Sequence, residues 1–289
     1  MDGDIQADIV LPEGVIRGGG RYRSLMDDAE MVFVPAGVFV MGSEETDIFA
    51  REDEKPRRSI CMGAFLIDVQ PVTNERFRRF IDAGGYEDRR FWSEAGWCWK
   101  EEHGIRCPLG FEKEDWDSPD QPASGVSWHE AKAFSVWAGK NLPTEAEWEK
   151  AARGTDGRRF PWGEAFPRSG LANFDNRIGR TTAVGSYPEG LSPYGCHDMA
   201  GNVNNWCEDW YWVGFSRYCS DHRLLSNPLL DDKLAADLDL SPEEKVDKGG
   251  GYGTSVLFWE VLSCAGKVHW KPGARNPWNG FRMVCRLGG

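Results

Sequence analysis

Residues 248–282 read KGGGYGTSVLFWEVLSCAGKVHWKPGARNPWNGFR. A half-buried strand alternates apolar and polar residues, and a helix repeats them about every 3.6. This stretch holds neither period for long, although Val256-Leu257-Phe258-Trp259 could form one short buried strand. Gly249-Gly250-Gly251 and Gly280-Phe281-Arg282 bracket it. Between them Phe258, Trp259, His269, Trp270 and Trp278 are mixed with Thr254, Ser255, Lys267, Lys271, Arg275, Asn276 and Asn279. An irregular, glycine-bounded, Trp-rich segment suits ligand contact, because aromatic rings supply area at little entropic cost. It equally suits a core loop near the C-terminus. Either way the fold must be one that gives loops a structural role.

Composition agrees. The 289 residues can bury a proper core, and 14 Trp with 34 Gly favour a loop-rich, aromatic-cored fold over a helical bundle. The charge of −12, from 34 basic and 46 acidic residues, opposes binding to nucleic acid or an anionic membrane. No apolar run approaches the roughly 18–20 residues of a membrane span. The opening MDGDIQADIVLPEG lacks a signal-peptide core, so a cytoplasmic location is expected, with surface display or export left open. Eight scattered cysteines form no Cys-x-x-Cys pair, which speaks against structural zinc and for reduced, mostly buried thiols.

Upstream, residues 1–29 lack periodicity, include Gly18-Gly19-Gly20, and read as a partly packed tail. Residues 30–289 form the domain proper. Met31 to Met41 gives two β-like pieces broken at Pro35-Ala36-Gly37, and Phe65-Leu66-Ile67-Asp68 reads as a strand. Thr73 is a good N-cap for a helix carrying Phe77, Phe80 and Ile81 on one face. The stretch 86–122 is aromatic and turn-rich, with Trp92, Trp97, Trp99 and Trp116. Ser127 with Glu130, and Thr144 with Glu147, make two capping boxes, each opening a helix of about three turns. Residues 220–247 read as an acidic, exposed excursion, with one weak helix through Leu229, Leu230, Leu234 and Leu238.

Several of these stretches occur together in one known family. MVFVPAGVFVMGS (31–43), QPVTN (70–74), VSW (126–128), GKNLPTEAEWEKAARG (139–154), FPWG (160–163) and DMAGNV (198–203) appear in order, followed by Gly-Gly and Gly-Phe-Arg. The chain thus resembles the formylglycine-generating enzyme (sulfatase-modifying factor) family from about residue 30 to 286. The resemblance implies one α+β, loop-rich, C-type-lectin-like domain with short antiparallel strands and few helices. It also implies bound calcium and, in the true enzymes, copper-dependent oxidation of a substrate cysteine.

Two departures limit what carries over. The family's catalytic cysteine pair falls, without a gap, on Thr254 and Trp259. A hydroxyl and an indole cannot replace thiolates on Cu(I), and Cys264 alone is not a pair, so no copper is expected. In GNVNNW (201–206) the family's calcium-ligating Glu is Asn205, which with Asn202 leaves a weakened second site. The other calcium site would use Asn173, the carbonyl of Phe174, and oxygens near Asp175 and Gly179; an Asx-turn explains the same residues. The five His residues show no metal-binding spacing, and cap and dipole account for Glu145, Glu147 and Glu149.

The expected function is therefore ligand binding without catalysis. One branch of this family does so: the variable proteins of diversity-generating retroelements, whose final segment, between a Gly-Gly-aromatic motif and Gly-Phe-Arg, is rewritten at adenine positions. Residues 249–282 have that location and bracketing. On this reading Thr254, Ser255, Val256, Phe258, Trp259, His269, Trp270, Asn276, Trp278 and Asn279 meet a partner, a protein or cell-surface ligand. The alternatives are a metal-dependent oxidase of the formylglycine-generating or sulfoxide-synthase type with a different active site, and a non-catalytic paralogue that regulates such an enzyme.

Overall fold

The computed structural model describes residues 10–111 and 118–288, so Trp116 and the start of the N-terminal tail lie outside the described residues. In chain order the strands are β1 (Val15–Gly18), β2 (Arg21–Ser24), β3 (Glu30–Val34), β4 (Gly37–Met41), β5 (Arg58–Met62) and β6 (Phe65–Asp68). Helices α1 (Asn74–Asp82), α2 (Glu94–Glu102), α3 (Trp128–Trp137) and α4 (Glu145–Arg153) follow. The C-terminal half holds β7 (Asn204–Trp210), α5 (Phe215–Asp221), α6 (Asp232–Asp237), β8 (Lys245–Lys248), β9 (Lys267–Trp270), β10 (Asn279–Gly280) and β11 (Val284–Arg286).

One sheet runs β1-β2-β3-β6-β11, so the last strand pairs with β6 and closes the chain on its beginning. A second sheet runs β10-β7-β8-β9, and β4 pairs with β5. The helix starts follow their caps. Thr73 accepts from the Arg76 amide, and Ser127 and Thr144 form reciprocal boxes with Glu130 and Glu147. Helices α1 and α3 meet through an aromatic cluster in which Phe77 stacks on Phe134 at 5.5 Å and both touch Phe281. Each such ring is fully buried, which stabilises by roughly 1.5–3 kcal/mol.

Four features add to or depart from the sequence reading. Within the partly packed tail, residues 15–24 form a hairpin that extends the first sheet, turning at Gly19 and Gly20 with positive φ. Strand β7 was not anticipated, because its residues are almost all buried and so show no alternation. The acidic segment is not wholly an excursion: Leu230 is fully buried, and β8 at its end is buried along its whole length. Finally, Val256–Leu262 is a pair of 3₁₀ turns kinked at Phe258 rather than a buried strand, and it holds Val256, Leu257 and Phe258 out to solvent. Ser255 caps it by accepting from the Leu257 amide.

Candidate functional site

The second sheet ends in an open cleft of about 310 Å³. Thr254, Ser255 and Phe258 form one side, Val268 and Trp270 of β9 the other, with Trp278 and Asn204 between them. Gly251 keeps the floor open: a Cβ there would sit 2.6 Å from Trp278 Cβ and 3.2 Å from Asn204 Oδ1. The rim is apolar and unusually bare, with Leu257 80 % and Phe258 58 % exposed. Turn-by-turn hydrogen bonds hold it, since the Thr254 hydroxyl accepts from the Gly251 amide at 3.0 Å and its carbonyl from the Asp175 amide at 2.8 Å. The Asp175 carboxylate in turn accepts from the Val256 amide at 3.0 Å.

Of the residues expected to meet a partner, Thr254, Ser255, Val256, Phe258, Trp270 and Trp278 gather here, with Asn276 partly buried alongside. Three do not. Trp259 turns inward and packs between Phe166 and Phe49, 4.7 and 5.3 Å away, with the Arg159 guanidinium over its ring. His269 points to the opposite face of the sheet, because side chains alternate along β9. There it stacks on Tyr211 at 3.7 Å and bonds the Glu244 carboxylate at 2.6 Å. Asn279 is fully buried beside β7. Leu257, Arg51, Asn204, Val261 and Val268 belong to the site and were missed. The period-two pattern of Lys267–Trp270 could have paired Val268 with Trp270; nothing in the sequence signals Arg51 or Asn204.

Thr254 and Trp259 bear a hydroxyl and an indole, and the nearby thiol is that of Cys264. Cys264 is buried, and burial pushes its thiol up to about 12, so it stays protonated. All eight cysteines are free.

The two calcium candidates differ. Asn173 Oδ1 is buried without a partner, which suits a cation ligand, while its amide nitrogen donates to the Arg180 carbonyl at 2.9 Å. Asp175, two residues on, is already engaged by Val256 and, at 3.6 Å, by Arg177. The second set does not fit a cation. Asn205 Oδ1 accepts from Arg282 Nε at 2.6 Å, so a guanidinium occupies its oxygen, and Asn202 Oδ1 accepts from the Thr182 amide at 2.9 Å. The weakened site is thus an arginine clamp, whose other bonds go to the carbonyls of Asp68, Val69, His197 and Asp198.

The carboxylates of α4 are more than cap residues. Glu145 pairs with Lys267 at 2.5 Å, Glu149 with Lys248 at 3.5 Å, and Glu147 with Arg286 at 2.7 Å. Lys267 and Lys248 hold Glu145 below its usual range against the opposing pull of burial. Glu145 and Glu149 thus tie α4 to the sheet that carries the cleft, and Glu147 ties it to β11 of the first sheet.

The sulfatase-modifying factor enzyme 1-like domain family (FGE-sulfatase) matches residues 22–287. Among curated relatives, the hercynine oxygenase of Mycolicibacterium thermoresistibile is 39 % identical over 194 residues, 62 % of this chain and 44 % of that protein. The formylglycine-generating enzyme of Thermomonospora curvata is 36 % identical over 217 residues, 63 % of this chain and 71 % of the enzyme. The chain spans less than half the length of the hercynine oxygenase it matches. Among solved structures, PvdO from Pseudomonas aeruginosa superposes with a TM-score of 0.71 at 23 % identity, over 94 % of this chain and all of that one. Treponema denticola variable protein 1 gives 0.61 at 20 %, over 96 % and 100 %. At these identities the likeness is one of fold.

Proposed function

The chain belongs to the sulfatase-modifying factor enzyme 1-like family, and we propose that within it this protein is a non-catalytic binder that presents residues 253–278 to a partner protein. One observation carries the reading: where the family's enzymes hold two cysteines, this chain has a hydrogen-bonded Thr254 and a packed Trp259, flanked by a bare apolar rim. Exposed Phe258 beside Trp270 and Trp278 supplies aromatic anchors of the kind enriched in protein interfaces, with Val256 and Leu257 extending the apolar rim. The fold shared with a Treponema denticola variable protein is compatible with a rewritten terminal segment.

Two experiments test this. A near-copy of the codons for residues 249–282, differing at adenines and lying beside a reverse transcriptase gene, is expected in the genomic neighbourhood. Its absence removes the retroelement origin. Capture of a partner by the purified protein, lost on replacing Val256, Leu257 and Phe258 together by Ser, tests the binding surface. Equal capture by the triple variant sinks it.

The hercynine oxygenase likeness favours a second reading, a metal-dependent oxidase with a different active site. Stoichiometric iron or copper with oxygen uptake would establish it and displace the first.

We also propose that Asn173 Oδ1 and the Phe174 carbonyl hold calcium and stiffen the loop that reaches the rim through Asp175 and Val256. At a hundredfold excess over Kd, calcium should stabilise by about 2.7 kcal/mol. Asn173→Ala should abolish that gain in thermal melts.

A further inference from the structure

Beneath the cleft lies a set of buried polar atoms with no protein partner. Asn204 Oδ1, Asp247 Oδ1, both amide atoms of Asn279, Asn276 Nδ2 and Trp270 Nε1 are all unsatisfied. Three of them, Asn204 Oδ1, Asp247 Oδ1 and Asn279 Oδ1, are acceptors, which is what a cation requires, and they sit on the adjacent strands β7, β8 and β10. Asn204 lines the cleft and donates through Nδ2 to Asp247 Oδ2 at 2.9 Å. Asn279 pairs in register with Asn204, and its backbone N–H donates to the Asn276 backbone carbonyl at 2.9 Å. Trp270 forms the adjoining wall.

Asp247 is the exceptional member. It is fully buried, and burial pushes its carboxyl well above the usual range, opposed by the Asn204 amide and the Lys248 backbone. The lysines on either side of it in the same sheet do not relieve it. Lys248 points to the other face, at Glu149, and Lys245 donates to the Glu208 carbonyl at 2.8 Å while lying over Trp210. Arg51, the cation among the described lining residues, bonds the Lys267 carbonyl at 3.3 Å and faces Glu260 at 3.6 Å. A buried carboxyl without a cation is costly to ionise unless a charged, donor-bearing group joins it.

We propose that the cleft receives the ammonium or guanidinium head of a lysine or arginine side chain presented by the partner. Asn204 Oδ1 makes the first contact and the Asp247 carboxyl supplies the charge behind it. The apolar stem lies along Val261 and Val268, and Trp270 and Trp278 flank the cation. This deepens the binding function argued above and rests on it for the source of the side chain. The cleft chemistry can be tested without any partner.

The test is titration of the whole protein with Nα-acetyl-lysine amide, Nα-acetyl-arginine amide and, as neutral isostere, Nα-acetyl-norleucine amide. Trp fluorescence and calorimetry report binding. Saturable binding of a basic probe, at least about tenfold tighter than norleucine and weakened about tenfold or more in Asp247→Asn, is expected. The probe comparison on the unaltered protein stands even if the variant fails to fold. Equal binding of norleucine, no binding of either basic probe, or full retention by a folded Asp247→Asn protein overturns the proposal. Partner capture that Asp247→Asn leaves intact would overturn it while sparing the binder reading. Basic-probe binding without any captured partner would spare it and count against that reading.

Discussion

The two faces of the β7-β8-β9 sheet carry buried polar groups under opposite terms. On one face Lys248 and Lys267 meet Glu149 and Glu145 of α4, and each of these side chains has a charged partner. On the other, Asp247, one residue before Lys248 on β8, and Asn204 on β7 keep oxygens that no protein group meets. The same strands, alternating side chains, thus build an internal brace on one side and an open requirement on the other. Paired buried charges tie the sheet to a helix. Unpaired ones beside a cleft leave a requirement for an outside group to meet.

That contrast predicts the largest loss on the paired face. Lys267→Met leaves buried Glu145 with only Lys248, at 3.8 Å, and should destabilise by about 3 kcal/mol, read as a shift in the urea midpoint. If the variant unfolds no more easily than the parent, the brace is not real.

His129, on the α3 side of the sheet, is held down to about 4, by burial first and then by the nearby Lys245. A histidine kept neutral in the fold contributes stability above its unfolded value near 6.5, and that contribution fades as pH falls from there toward 4. The full swing is about 3 kcal/mol. His129→Gln should flatten the stability profile between these values while leaving neutral pH less affected.

On the unpaired face the effects on stability should be small. Asp247→Asn keeps its size and its bond to Asn204, and its melting temperature should stay within the shift of about 1 kcal/mol. A loss comparable to that of Lys267→Met would make Asp247 a structural brace like its neighbours. Smallest of all should be the triple Ser replacement at Val256, Leu257 and Phe258, since exposed substitutions away from packing features cost about 0.5 kcal/mol or less each. A large drop in its melting temperature would return the segment to the core.

How much of this was legible beforehand divides along range in sequence. Helices α1, α3 and α4 were readable because Thr73, Ser127 and Thr144 act on amides three residues away. Strands β3, β4 and β6 were readable from their local composition. Strand β7 was not, since a segment buried on both faces has no period to reveal it. The site was half legible: the location and the aromatic content of 253–278 were plain, but not which rings turn inward. Trp259 is exchanged for Leu257 at the surface by a 3₁₀ turn whose form depends on Phe49, Phe160 and Phe166 being in place.

The amino-acid sequence alone determined the family, the α+β and loop-rich character and the capped helices. These rest on contiguous motifs and on interactions spanning a turn or less. Tertiary structure alone decided that Asn205 clamps Arg282 rather than a metal, that α4 carboxylates brace the sheet, and that Asn204 and Asp247 meet beneath the cleft. Those partners lie 43 to 122 residues apart. Whether a polar side chain is satisfied depends on what the fold brings within about 3 Å of it, which no local pattern encodes.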